Sequence, residues 1–175
     1  MAASSAYRSL LRRIAQQAER DKHRIRRFFR WLKKERPAGM TQSFRTAHDE
    51  AFAHIDCLQC ANCCRTAMAV FEKPDIRRIS RHFGMSQQEF IKKYLRPHPD
   101  YEYLIRKLPC AFLTDDNRCS IYAIRPTGCR TYPPARLRLT DEQLDVLYDN
   151  VHICPAVSRM VKRVQERFAA NWPGT

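Results

Sequence analysis

Glycine is scarce in this chain, with four in 175 residues beside ten prolines. No glycine-rich phosphate loop is present, which argues against the nucleotide-binding classes that depend on one. No run of about 18 apolar residues occurs, so no transmembrane helix is expected. A secretory signal is also missing, because "SLLRRIAQQ" breaks its apolar run with arginines after two leucines. The start is Arg-rich and Ser-containing, like an organelle transit peptide, but Glu19, Asp21 and the continuing helical pattern argue against a cleaved segment. There is no internal repeat, no Ser/His/Asp set and no paired-carboxylate motif. A cytoplasmic location is therefore the expectation. In that compartment thiols stay reduced, and clustered cysteines bind metal more often than they form disulfides.

What is abundant is positive charge and cysteine. The net charge of +14 is uneven. Residues 1–36 carry twelve Arg or Lys against three acids, and the remaining chain carries twenty against fifteen. Residues 5–35 read as one long helix, with Leu11, Ala18, Ile25 and Leu32 recurring every seven residues and Ile14, Phe28 and Phe29 beside them. Asp21 interrupts this stripe, and "RPAGM" ends the helix at Pro37 and Gly39. Residues 1–40 are thus expected to form a basic amphipathic arm and 41–175 a cysteine-cluster domain. The arm is a candidate docking element for a protein partner; an anionic membrane surface or nucleic acid would meet the same charge, and nucleic acid is the less favoured.

Within the second region, "KPDIRRISRHFGMSQQEFIKKYLRP" reads as two short helices. Pro74 and Asp75 open the first, Gly84 closes it, and Ser86 with Glu89 forms a capping box for the second. Residues 109–122 read as a hairpin around "TDDN". Residues 125–136 are proline-punctuated loop, and the stretch "LRL" to "LDVLYD" is ambiguous between strand and helix. Val157, Met160, Val161, Val164 and Phe168 sit at helical spacing and are expected in a core. The fold class is α+β: a small, mostly α-helical domain with a short β-hairpin and long loops organised around cysteine-bound metal, with a long N-terminal helix.

The eight cysteines carry the chemistry. "CLQCANCC" holds four of them in eight residues. Two-residue steps let successive turns aim Cys57, Cys60 and Cys63 at one metal, and a distant cysteine followed by proline, here Cys154-Pro155, supplies the fourth ligand in ferredoxin-type sites. The same three thiolates suit a tetrahedral zinc site equally well. Cys64 diverges from its neighbour Cys63 and has Cys110, Cys119 and Cys129 as natural companions. Two four-thiolate sets follow as one partition among many, with a [4Fe–4S] cluster or zinc as cofactor. Single buried cysteines are often inert core thiols, a reading open for Cys110 and Cys129 individually. His54, His82, His98 and His152 lack ligand spacing to one another, with His54 and His152 as reserves beside Cys57 and Cys154. Arg125 and Arg130 flank Cys129 and are candidates to stabilise thiolates and tune a cluster; salt bridges to Asp115, Asp116 or Asp141 are the alternative.

At "CLQCANCC", "LPCAFLTDDNRCSIYAIRPTGCRTYP" and the late Cys154, the sequence resembles the cysteine-cluster family named for its CxxCxxCC signature, the YkgJ-like proteins. The resemblance runs over about residues 50–157 and leaves the arm outside. It implies zinc or iron chelation by the cysteines. The family is similar to the cysteine-rich part of a flagellin lysine N-methylase, a much longer enzyme for which an iron–sulfur cluster is implied. An enzyme subunit in protein modification is therefore the alternative to a plain metalloprotein, and whether this chain is an enzyme is left open. The helix pair at 75–95 also has the spacing of a DNA-reading helix-turn-helix, but the resemblance gives it a structural place between the cysteine blocks.

Overall fold

A computed structural model describes residues 5–172 and residue 174. In chain order its helices are α1 Ser5–Arg20, α2 Lys22–Glu35, α3 Met40–Phe52, α4 Cys57–Cys60, α5 Asn62–Thr66, α6 Lys73–His82, α7 Gln87–Tyr94, α8 Thr127–Thr131, α9 Asp141–Asp149 and α10 Pro155–Arg167. The strands are β1 Val70–Phe71, β2 Leu95–Pro97 and β3 Tyr103–Ile105. The chain divides into two compact units, one spanning residues 57–132 and the other comprising 5–56 with 133–174. Among the described residues no helix is long and apolar enough to cross a membrane.

The helical unit gathers α1–α3, α9 and α10. The single helix expected over 5–35 is in fact two, because the helix breaks at Asp21 (φ −92°, ψ 6°). Asp21 accepts a hydrogen bond from the Gln17 amide at 2.7 Å, and aspartate favours such local bonding over the helix interior. The Asp21 carbonyl still accepts from Ile25 N–H at 2.8 Å, so α2 follows at once. Arg36 stops α2 in the left-handed region (φ 45°), and Gly39 (φ 76°) turns the chain into α3, an element with no clear signal in the sequence. Ile25, Phe28, Phe29 and Leu32 of α2 are buried, as are Phe44, Ala47 and Ala51 of α3. The expected stripe of α10 is fully accounted for: Val157, Met160, Val161, Val164 and Phe168 are all buried. Phe28 meets Trp172 edge-on at 4.9 Å, and Phe29 meets Tyr148 at 5.6 Å. The ambiguous stretch before Cys154 forms α9, capped by Thr140 and Gln143.

The cysteine unit is built on a three-stranded antiparallel sheet, ordered β1-β3-β2, with α6 and α7 between β1 and β2. Val70 pairs with Leu104, and Arg96 pairs with the same residue from the other side. The helix pair forms as the capping signals require. Ser86 Oγ accepts from Glu89 N–H at 3.2 Å while the Glu89 carboxylate accepts from Ser86 N–H at 2.8 Å. Gly84 (φ 63°) makes the turn between the helices. Phe71, Ile76, Ile79, Phe90, Leu95, Ile105, Phe112 and Ile121 make the core of this unit. The hairpin expected over 109–122 is reduced to one bridge, Leu113 to Cys119, around a turn in which Thr114 N–H donates to the Arg118 carbonyl at 2.8 Å.

Candidate metal centre

The first cysteine block is two helical turns joined by a single unusual residue. α4 carries Cys57 and Cys60, α5 carries Cys63 and Cys64, and Ala61 between them is left-handed (φ 47°, ψ 17°) and buried. Its N–H donates to the Cys57 carbonyl at 2.9 Å, which closes the first turn before the chain changes direction. A non-glycine residue there costs roughly 1–2 kcal/mol of backbone strain. The left-handed Ala61 is what keeps the block from being one continuous helix.

The second block is fastened to the first through backbone and side chain. Cys110 N–H donates to the Cys64 carbonyl at 2.8 Å. The turn 114–118 adds Asn117, itself left-handed (φ 69°), whose amide nitrogen donates to the Gln59 carbonyl at 3.5 Å. Arg65 bridges the two segments: its guanidinium donates to the Asn117 side-chain oxygen and to the Ala61 carbonyl at 3.4 Å. Neither Arg65 nor Asn117 stood out in the sequence as part of the site. The only hint was position, with Arg65 directly after Cys64 and Asn117 in a turn whose strand neighbour is Cys119.

Cys110 and Cys119 pack against the apolar core around Phe112, and the consequences are electrostatic. Burial, with the charges of Cys64 and Cys119 adding to it, pushes the Cys110 thiol up to about 11. Burial likewise raises Cys119, with Cys64 adding to the rise and the Arg125 charge opposing it. Cys129 is pushed up to about 12 by desolvation first, then by Cys64, Cys110 and Cys119, again with Arg125 pulling the other way. Cys64 behaves oppositely: a hydrogen bond from Cys63, helped by the Arg65 charge, lowers it to about 7 against the cost of burial. A charge on one of these four sulfurs is felt by the others, although the residues lie on three separate stretches of chain.

The remaining expected ligands are distributed more widely. Cys57 is exposed, Cys60 is buried and Cys63 is half-buried, all on α4 and α5. Cys154 is buried at the start of α10 in the helical unit, and its assignment rests on sequence alone. Among the described residues no three His, Cys, Asp or Glu side chains are drawn together as a ready coordination shell. Arg125 lies with its guanidinium carbon 4.0 Å from the Tyr122 ring centre and donates to the Tyr122 carbonyl at 2.7 Å. Arg130 donates to the Arg125 carbonyl at 3.4 Å. Two acids that were alternative partners for these arginines pair elsewhere, Asp116 with Arg118 and Asp141 with Arg36. His54 and His152 are exposed.

Soft thiolates near a guanidinium, with one thiol already poised to ionise near neutrality, fit a zinc or iron ion in donor chemistry. No solved structure matches the chain. The model of the family CxxCxxCC, described as "Putative zinc- or iron-chelating domain", matches residues 56–155, a span that takes in all eight cysteines. The chain belongs to the CxxCxxCC family.

Proposed function

We propose that residues 57–132 form a thiolate metal centre in which Cys64, Cys110, Cys119 and Cys129 hold zinc or an iron–sulfur cluster. The mutual electrostatic influence of these four thiols carries the reading. Thiolates that feel one another's charge repel, and a cation bound among them would turn that repulsion into attraction. Arg125 compensates part of the charge, and Arg130 holds the Arg125 backbone. Cys57, Cys60 and Cys63 are candidates for a second thiolate set within the same unit. The setting is the reducing cytoplasm, and the centre organises a small fold that serves a partner in metal handling or redox chemistry.

Purification without air tests this directly. A brown protein with iron and acid-labile sulfide identifies a [4Fe–4S] centre, and a colourless one with zinc identifies a tetrahedral site. Cys119→Ser is expected to lower the metal content. A folded protein with neither metal overturns the proposal.

The partner surface we place on the arm. α1 exposes Arg8, Arg12, Arg13 and Arg20, and α2 exposes Arg24, Arg26, Arg27, Arg30 and Lys34. Few acids balance these residues, so an acidic protein surface is the occupant their charge suits best. Binding of an acidic peptide, read by fluorescence anisotropy, is expected to weaken steeply with salt. Tighter binding of a single-stranded RNA of equal charge would assign the arm to nucleic acid instead.

A further inference from the structure

Asp75 is the most deeply buried carboxylate in the cysteine unit, with its side chain 1% exposed. Its position near the start of α6 gives it a capping role, since it accepts from the Glu72 N–H at 3.3 Å. Its other oxygen does something a helix cap does not require. It accepts from the Arg78 guanidinium at 2.8 Å, from Thr127 N–H at 3.1 Å and from the Thr127 hydroxyl at 3.0 Å. Arg78 then reaches the same distant loop, donating to the carbonyls of Arg125 at 3.1 Å and Ile124 at 3.4 Å. One carboxylate and one guanidinium on α6 therefore grip three residues of one short stretch, Ile124, Arg125 and Thr127. That loop carries Arg125, and it leads directly into α8, where Cys129 stands two residues after Thr127.

We infer that Asp75 and Arg78 are positioning residues for the metal centre, fixing Cys129 and Arg125 from the far side of the core. This rests on the metal-centre reading above. A buried carboxylate is costly unless its oxygens are fully engaged, and here the four donors that engage it lie on α6, at its cap and at Thr127, the first residue of α8. The arrangement supplies what α8 lacks on its own. Five residues make little more than one turn, too short to hold a cysteine in place by helix stability alone. Without the clamp, the loop is free to swing Cys129 away from Cys64, Cys110 and Cys119.

The test is a double-mutant cycle read by competition for zinc against a chromophoric chelator. Asp75→Asn keeps the shape and removes the charge. It is expected to weaken zinc binding about tenfold, in the range seen when groups orienting a ligand are lost. The same change in a Cys129→Ser background is expected to have no further effect, because the ligand it positions is gone. An equal loss in both backgrounds would make Asp75 merely structural and overturn the inference, as would unchanged affinity in Asp75→Asn. Should that variant fail to fold, Thr127→Val removes one surface-side bond only; it is expected to weaken zinc binding in the same direction, and wild-type affinity there would also overturn the clamp. Wild-type protein that takes up no zinc or iron at all would instead defeat the metal-centre reading itself.

Discussion

Cys64 and Cys129 show how position rather than residue type sets thiol chemistry. Cys64 takes a hydrogen bond from its neighbour and lies beside Arg65, so it ionises near 7, while Cys129 feels burial and three other sulfurs and holds its proton to about 12. The pH dependence of metal binding follows. On the proposed ligand set zinc displaces the protons of Cys110, Cys119 and Cys129, all raised above the ordinary thiol value, so affinity is expected to rise roughly a thousandfold per pH unit from about pH 7 to about pH 9. Below that value Cys64 also protonates and the dependence steepens. A flat affinity profile from chelator competition across this range would remove these thiols from the ligand set. Ala61 makes a second prediction. Ala61→Gly relieves left-handed strain but gives up a buried methyl of about 0.8 kcal/mol, so urea unfolding is expected to shift little. Ala61→Val puts a β-branched side chain in the same conformation and is expected to cost more than about 1 kcal/mol. The cysteines themselves were legible in the sequence because four thiols in eight residues have few other uses. Asp75 was not, because its sequence neighbours mark it only as a helix opener and its second role needs a residue 52 positions away.

At the level of elements, signals that are local in the chain survived and those that depend on partners did not. α6 and α7 follow from Pro74, Gly84 and the Ser86–Glu89 box, each of which satisfies backbone groups within a few residues. α10 follows from its apolar spacing. The strands were missed because β1 has two residues and β2 and β3 have three each, too short for alternation to show. They exist because antiparallel pairing to β3 satisfies their backbones, a non-local cause. The hairpin at 109–122 shrank for a related reason: Cys110 N–H is spent on the Cys64 carbonyl. The break at Asp21 was visible as an interruption of the stripe, but a charged residue there does not by itself tell a kink from a continuous helix. Ser86→Ala removes one capping bond at an exposed site, and a loss of about 1 kcal/mol is expected in chemical denaturation. No measurable change would mean that packing of Phe90 against Phe112, stacked at 6.1 Å, holds α7 without its cap.

Across the whole molecule, the proposed metal centre leads us to expect that the two units depend on metal differently. The helical unit has extended apolar faces on α2, α3 and α10, whereas the cysteine unit has a smaller core whose edge is the thiol set itself. Small domains with limited cores commonly draw stability from a metal. Chelation is therefore expected to abolish hydrogen-exchange protection in β1, β3 and α6 while leaving α3 and α10 protected. Equal loss in both units would show that they unfold together. The charge imbalance of the arm was legible from composition alone, and the architecture around the thiols was not, because it is assembled from segments far apart in sequence.

The bond from Cys110 to the Cys64 carbonyl spans 46 residues and brings the two cysteine blocks together. Everything between them, the sheet and the helix pair, must be in place before that closure becomes cheap in entropy. The first block, by contrast, is local and can bind as soon as it is synthesised. On the proposed assignment, a nascent chain in a metal-rich solution thus offers the four clustered thiols of 57–64 before Cys110, Cys119 and Cys129 have joined Cys64. The order in which metal and fold arrive then decides whether Cys64 is still free for the long-range set when Cys110 reaches it.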